Sequence, residues 1–138
     1  MEFMEFVVNG TLMRGLALEE NLLKVQARFL REGRTEKCYR LWSVRDEYPA
    51  MIRVGPDDAL AVQVEVEVWE VPCAAFTEVL AGEPEGLSVG RVRMEGGRMI
   101  FGVIGEPELV KGMKEISRYG GWRNYIAGMD AGKAEDKG

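Results

Sequence analysis

Phe6-Val7-Val8-Asn9-Gly10-Thr11-Leu12-Met13-Arg14-Gly15 is the stretch from which the rest of the chain is read. It carries a short apolar strand straight into a polar turn bracketed by glycines. Val7 and Val8 are β-branched and Gly10 ends the run, which suits a buried strand. Gly10 also lets the backbone bend sharply and approach a ligand closely. A turn of this kind exposes successive N–H groups, and such a row of donors can cradle an anion. A strand ending in an ordinary loop is the other reading of the same residues.

A chain of 138 residues is long enough for one core and one domain. Apolar residues make up 46% and charged residues 30%, which excludes extended disorder as the main state. The net charge of −5 leaves no dominant basic face, so a nucleic-acid partner is not expected. No apolar run reaches the roughly 18 residues needed to span a bilayer. The start carries Glu2 and Glu5 in place of a basic segment. No membrane partner and no signal peptide are expected, and the localisation expected is cytoplasmic. Cys38 and Cys73 lack C-x-x-C spacing and read as reduced, partly buried thiols.

The sequence contains no histidine. That removes Ser-His and Cys-His nucleophile activation and the usual imidazole metal ligands, so a carboxylate must serve as any base. No cofactor and no metal are expected.

Outward from the opening stretch, residues 16–24 read as a short helical turn, and residues 27–31 and 39–44 as strands. Residues 48–54 read as a strand entered through Pro49. Residues 61–71 alternate almost without fault, placing Val62, Val64, Val66, Val68 and Glu70 on one face and Gln63, Glu65, Glu67, Trp69 and Val71 on the other. Glu65 and Glu67 share that second face. They read as a solvated face that protects a strand edge in preference to a catalytic pair. Residues 73–80 read as a short helix after Pro72, and the acidic turn Gly82-Glu83-Pro84-Glu85-Gly86 follows it. Residues 87–94 and 99–105 form a hairpin around Glu95-Gly96-Gly97-Arg98. Residues 106–112 read as a helix with Pro107 in its first turn. The domain is expected over residues 1–127, with 128–138 as a disordered tail.

Val8 to Gly15 resembles the Tyr-Gly-Ser/Thr-Leu loop of the gamma-glutamylcyclotransferase-like families, with Asn9 where those families have Tyr. The strand, short helix and acidic turn from Val68 to Glu83 resemble them a second time. Val66-Glu67-Val68-Trp69-Glu70-Val71-Pro72, Gly102-Val103-Ile104-Gly105-Glu106-Pro107 and Ile116-Ser117-Arg118-Tyr119-Gly120-Gly121-Trp122-Arg123-Asn124-Tyr125 together resemble the C-terminal domain of allophanate hydrolase. The order and spacing of the resemblance run from Phe6 to Ile126. That domain is itself similar to the gamma-glutamylcyclotransferases.

The resemblance implies an α+β fold: a small, mostly antiparallel β-barrel of about six or seven strands with two or three peripheral helices. It implies that the backbone of Asn9, Gly10, Thr11 and Leu12 grips a small carboxylate. Counted from Trp69, Glu83 falls on the family's general acid/base, with Glu85 as the fallback. Arg53, in Pro49-Ala50-Met51-Ile52-Arg53, resembles the family's Arg after Pro-Gly-Leu, and its guanidinium suits a carboxylate. Thr11 stands close to the family's His in this loop. Trp122 and Arg123 read as docking the last helix and not as ligand contacts. The pocket is expected where the opening turn meets the Glu83 loop.

The function this implies is that of a stand-alone relative of the allophanate hydrolase C-terminal domain, binding and converting a small acid or amide in nitrogen metabolism. A gamma-glutamylcyclotransferase-type enzyme releasing 5-oxoproline and a non-catalytic small-acid binding domain are the alternatives. The partners implied are the small molecule and an amidase subunit acting in trans. The oligomeric state stays open, a homodimer included.

Overall fold

β1 (Phe3–Val8) runs through the middle of the larger of two sheets, and this explains why Phe6, Val7 and Val8 are all buried. The computed structural model describes residues 2–136, with side chains through residue 129. On one side β1 pairs antiparallel with β5 (Glu65–Pro72), from Phe3 opposite Pro72 to Val8 opposite Glu67. On the other it pairs parallel with β7 (Met99–Gly105), Val7 standing opposite Gly102. A Cβ at Gly102 would lie 2.7 Å from the Val7 Cβ, so this close approach requires glycine. With β2 (Arg28–Arg34) and β6 (Leu87–Arg93) at the edges, the order is β2-β5-β1-β7-β6. The β6–β7 hairpin has the expected register, Leu87 to Arg93 opposite Gly105 to Met99.

The smaller sheet has the order β4-β3-β8, formed by β3 (Tyr39–Val44), β4 (Tyr48–Arg53) and the two-residue β8 (Lys114–Glu115). Arg45 and Asp46, at φ 53° and 60°, make the tight turn between β3 and β4, closed by the Glu47 N–H donating to the Val44 carbonyl at 3.0 Å. An isolated bridge from Tyr39 of β3 to Val62 ties the smaller sheet to the segment leading into β5, and a second, Thr35 to Met94, links the chain just beyond β2 to that just beyond β6, the two edges of the larger sheet. No closed barrel is found among the described residues, in contrast to the expected barrel. The architecture is α+β, with a mixed sheet.

Three α-helices cover the sheets: α1 (Glu19–Leu23), α2 (Phe76–Ala81) and α3 (Trp122–Asp136). Phe76 meets the Phe6 ring edge-on at 5.2 Å, which fixes α2 on β1. The helix expected at 106–112 is a short 3₁₀ turn, Pro107–Val110. α3 is helical through residues 128–136, where the sequence reading expects a disordered tail; residues 137–138 of that tail lie outside those described. The core gathers Trp69, Tyr39, Tyr125, Phe6, Leu22, Leu41 and Met51 between these layers. No helix among the described residues is long and apolar enough to cross a membrane. Both cysteines are free, Cys38 half-buried and Cys73 exposed in contrast to the expected partial burial.

Candidate functional site

The end of β1 and the end of α2 converge. Asn9, Gly10, Thr11 and Leu12 line one small cavity together with Val8, Tyr48, Pro49, Glu83, Leu87 and Val103. The opening turn is held open by its own hydrogen bonds: Met13 N–H donates to the Gly10 carbonyl at 2.9 Å and Leu18 N–H to the Thr11 carbonyl at 2.8 Å. The N–H groups of Gly10, Thr11 and Leu12 donate to no protein acceptor among the described residues. Asn9 is buried, and its amide nitrogen donates to the Val103 carbonyl at 2.9 Å, pinning the turn to β7. A Cβ on Gly10 would sit 2.5 Å from the Pro49 Cδ, so the cradle touches β4 with nothing to spare.

Glu83 reaches this cavity from the other side. Its N–H caps α2 by donating to the Leu80 carbonyl at 3.1 Å. The turn after it is anchored to the end of β7 by the Glu106 N–H donating to the Gly86 carbonyl at 2.8 Å. The Glu83 Oε1 is buried and has no hydrogen-bond partner. Burial without a compensating partner pushes its carboxyl up to about 7. A group so poised exchanges a proton near neutrality, and uncommitted N–H donors stand beside it in the same cavity. The cavity is about 10 Å³, room for one water-sized group.

The other expected site residues separate from it. Glu85 is exposed and lines a shallow depression of about 540 Å³ outside, with Arg45, Glu47, Tyr48, Pro84, Gly86, Glu106, Glu108 and Leu109. Arg53 is exposed at the far end of β4, opposite Tyr39, and does not line the cavity. Four strand positions part it from Pro49, roughly 13 Å at the usual rise. A carboxylate in the cavity would therefore meet backbone donors without a guanidinium. Tyr48, Pro49, Leu87 and Val103 complete the walls. Their sequence neighbourhoods carry only strand patterning, so no local signal marks them.

A second concavity of about 570 Å³ lies over β2 and β5, lined in part by Met13, Glu65, Glu67, Trp122 and Arg123. Glu67 is 2% exposed there, which corrects the expectation of a solvated acidic edge. β5 lies between β2 and β1, and the opening loop and α3 reach over it. Glu67 Oε1 accepts from the Arg14 N–H at 2.9 Å and from Trp69 Nε1 at 3.1 Å. Its Oε2 accepts from Arg14 Nε and Arg123 Nη2, both at 3.1 Å. Burial pushes this carboxyl up, but the donors outweigh it and hold it below the usual range. Arg123 also donates to the Arg14 carbonyl at 2.6 Å, so α3 secures the opening loop through it. Trp122 is buried against Tyr125, as a docking anchor is expected to be.

Residues 4–127 match the family described as "Allophanate hydrolase C-terminal domain". The urea amidolyase of Lachancea kluyveri is 33% identical over 128 residues, which cover 88% of this chain and 7% of that protein. A uropathogenic E. coli-specific protein of known structure superposes with a TM-score of 0.88 at 42% identity, covering 92% of this chain and 98% of that one. Kluyveromyces lactis allophanate hydrolase superposes at 0.86 with 28% identity, covering 94% of this chain and 22% of that one. A gamma-glutamyl cyclotransferase shares the fold at 14% identity and a TM-score of 0.50, over 83% of this chain and 70% of that one. The chain thus spans only a small part of the curated relatives it matches. With the family's pattern covering all but its ends, the chain belongs to the allophanate hydrolase C-terminal domain family.

Proposed function

We propose that this domain binds a small carboxylate or amide through the N–H groups of Gly10, Thr11 and Leu12, and converts it with Glu83 as the proton carrier. The observation that carries the reading is the buried, unpartnered Glu83 Oε1 lining the same cavity as those uncommitted donors. Buried polar atoms are nearly always paired, and an orphan beside free donors marks a place where a ligand completes the bonding. The backbone donors stabilise negative charge developing on the ligand oxygen while Glu83, as carboxylate, takes a proton and returns it to the leaving group. The names of the relatives support a substrate from nitrogen metabolism and an amidase as the partner that supplies it in trans.

The cyclotransferase chemistry is the second reading, favoured by the shared fold and by the raised Glu83 carboxyl. There an amine of a gamma-glutamyl compound attacks its own side-chain carbonyl, Glu83 takes the amine proton and passes it to the departing amine, and 5-oxoproline leaves. The deciding experiment is a thermal-shift screen against malonate, 5-oxoproline, gamma-glutamyl dipeptides and allophanate-like acids, followed by turnover assays. A ligand at about a hundred times its Kd adds about 2.7 kcal/mol of stability. Glu83→Gln is expected to keep binding within a few-fold and lose turnover by at least about a hundredfold. Release of 5-oxoproline selects the cyclotransferase reading. Binding with no turnover of any compound makes the domain a binding module, and no shift with any compound overturns the pocket.

A further inference from the structure

We propose that the first turn of α3 sets the shape of the pocket from outside it, Arg123 holding the cradle loop and Tyr125 holding the turn that carries the opposite wall. Both are positioning residues. The inference rests on the proposed function only for which cavity is the site. Neither side chain lines that cavity, and both leave the same helical turn, Arg123 toward the opening loop and Tyr125 toward the β3–β4 turn. The helical turn is itself a fixed post. Trp122 and Tyr125 are buried, and the Gly120 carbonyl just before it accepts from the Glu65 N–H of β5 at 2.8 Å.

Arg123 acts just beyond the cradle. Its Nη2 donates to the Arg14 carbonyl at 2.6 Å and to Glu67 Oε2 at 3.1 Å, while Glu67 Oε1 accepts from the Arg14 N–H at 2.9 Å. Charged side chains thus hold both backbone groups of Arg14, and bonds of this kind are roughly twice as strong as neutral ones. The uncommitted N–H groups end two residues upstream, at Leu12. Tyr125 acts on the other wall. Its hydroxyl donates to Asp46 Oδ1 at 2.6 Å, where the Ser43 hydroxyl also donates at 2.7 Å. Arg45 and Asp46 are both in left-handed backbone, at φ 53° and 60°, a strained state for residues other than glycine that persists only where neighbours hold it. Tyr48 and Pro49 follow this turn and wall the pocket, the Pro49 ring lying against Gly10. Released at Asp46, the turn relaxes and carries Pro49 away from the cradle.

Glu83 reports the closure of the pocket with no ligand present. Burial alone raises its carboxyl, Tyr48 is the other titratable group lining the cavity, and Glu85 next along the turn is exposed outside it. Loosening either wall admits water to Glu83 and lowers its midpoint. Carboxyl-carbon NMR titration of the whole chain reads that midpoint, with the Glu83 resonance assigned by its loss in Glu83→Gln. Arg123→Ala and Tyr125→Phe are each expected to move it down from about 7 by at least about half a unit. Val92→Ala empties part of the core at the end of β6 away from Leu87, and is expected to lower stability and leave the midpoint unmoved. If Arg123→Ala fails to fold, Tyr125→Phe, which removes one oxygen, decides. A midpoint that stays at about 7 in both variants, or that falls equally in Val92→Ala, overturns the inference and leaves the proposed function standing. A shift in one variant alone overturns the shared post. A midpoint near 4.5 in the unaltered protein takes away the closed pocket, and with it both the proposed proton carrier and this inference.

Discussion

Glu83 is a carboxyl whose burial works against its own ionisation, and the consequence is measurable without knowing the ligand. Its folded value of about 7 lies above the ordinary carboxylate value of 4.5. Between those values the folded state holds a proton that the unfolded state has released, so stability falls as pH rises through that window and is level above it. Glu83→Gln keeps the shape and removes the ionisation. It is expected to be near neutral at pH about 4.5 and stabilising by about 3 kcal/mol at pH about 8, from the rise from 4.5 to about 7 at 1.36 kcal/mol per unit. Urea unfolding at the two pH values checks this, and a stability difference independent of pH would remove Glu83's buried ionisation from the account. Gly10 gives a second test at this scale. Because a Cβ would lie 2.5 Å from the Pro49 ring, Gly10→Ala is expected to cost about 1–3 kcal/mol and to abolish ligand-induced thermal shifts. A variant that is as stable and binds as well would mean that the turn and β4 yield easily.

β5 shows how an element can be read correctly and its faces wrongly. The alternation over residues 61–71 identifies a strand, and the strand forms over Glu65–Pro72. Its charged face is another matter, since periodicity states which residues share a face and not what covers that face. Arg14 and Arg123 lie 53 and 56 positions from Glu67, and local patterning carries no trace of such partners. The same separation explains Arg53, assigned by resemblance to a pocket from which its strand carries it away. Conversely the meeting of the Gly10 turn with Glu83 was legible through the family resemblance, which carries Glu83 by its count from Trp69, and not from the acidic turn alone. Glu67 is expected to support stability above the ordinary carboxylate value and to lose that support as pH falls through its lowered folded value. Glu67→Ala, which leaves the Trp69 Nε1–H and the Arg14 backbone N–H without their acceptor while Arg14 keeps Glu32, should cost about 1–3 kcal/mol at pH 7. Denaturation midpoints that converge with those of the unaltered protein toward pH 3 would agree with this, and a constant deficit would assign the loss to side-chain volume instead.

At the scale of the molecule, seven of the eight strands among the described residues were legible from apolar runs, alternation and glycine turns, while the two-residue β8 and the division of the strands into two sheets were not. The parallel pairing of β1 with β7 joins residues 95 apart, Val7 to Gly102, and the turn at Arg45 and Asp46 lacks the Asn-Gly signature of such hairpins. This topology ranks the strands by protection. β1 is flanked on both sides by hydrogen-bonded neighbours and is buried along its second half, and β5 is flanked likewise. β6 has one strand partner, and its outer rim is open up to the exposed Arg91, whose guanidinium lies 5.8 Å from the half-exposed Phe101 ring, while its end at Arg93 is tied to Glu36 and Tyr39. Amide exchange is governed by the smallest opening that frees each N–H, so edge strands open below the global unfolding free energy. The amides of β1 and β5 are therefore expected to exchange slowest, and the outward-facing amides of β6 before Arg93, whose N–H is bonded to the Tyr39 hydroxyl, at least about tenfold faster, a difference of about 1.4 kcal/mol in opening free energy. Hydrogen exchange followed at several protein concentrations tests the ranking. Equal protection of β6 and β1 that grows with concentration would mean that a second copy covers this edge, whereas equal protection at all concentrations would mean that β6 opens only with the whole domain.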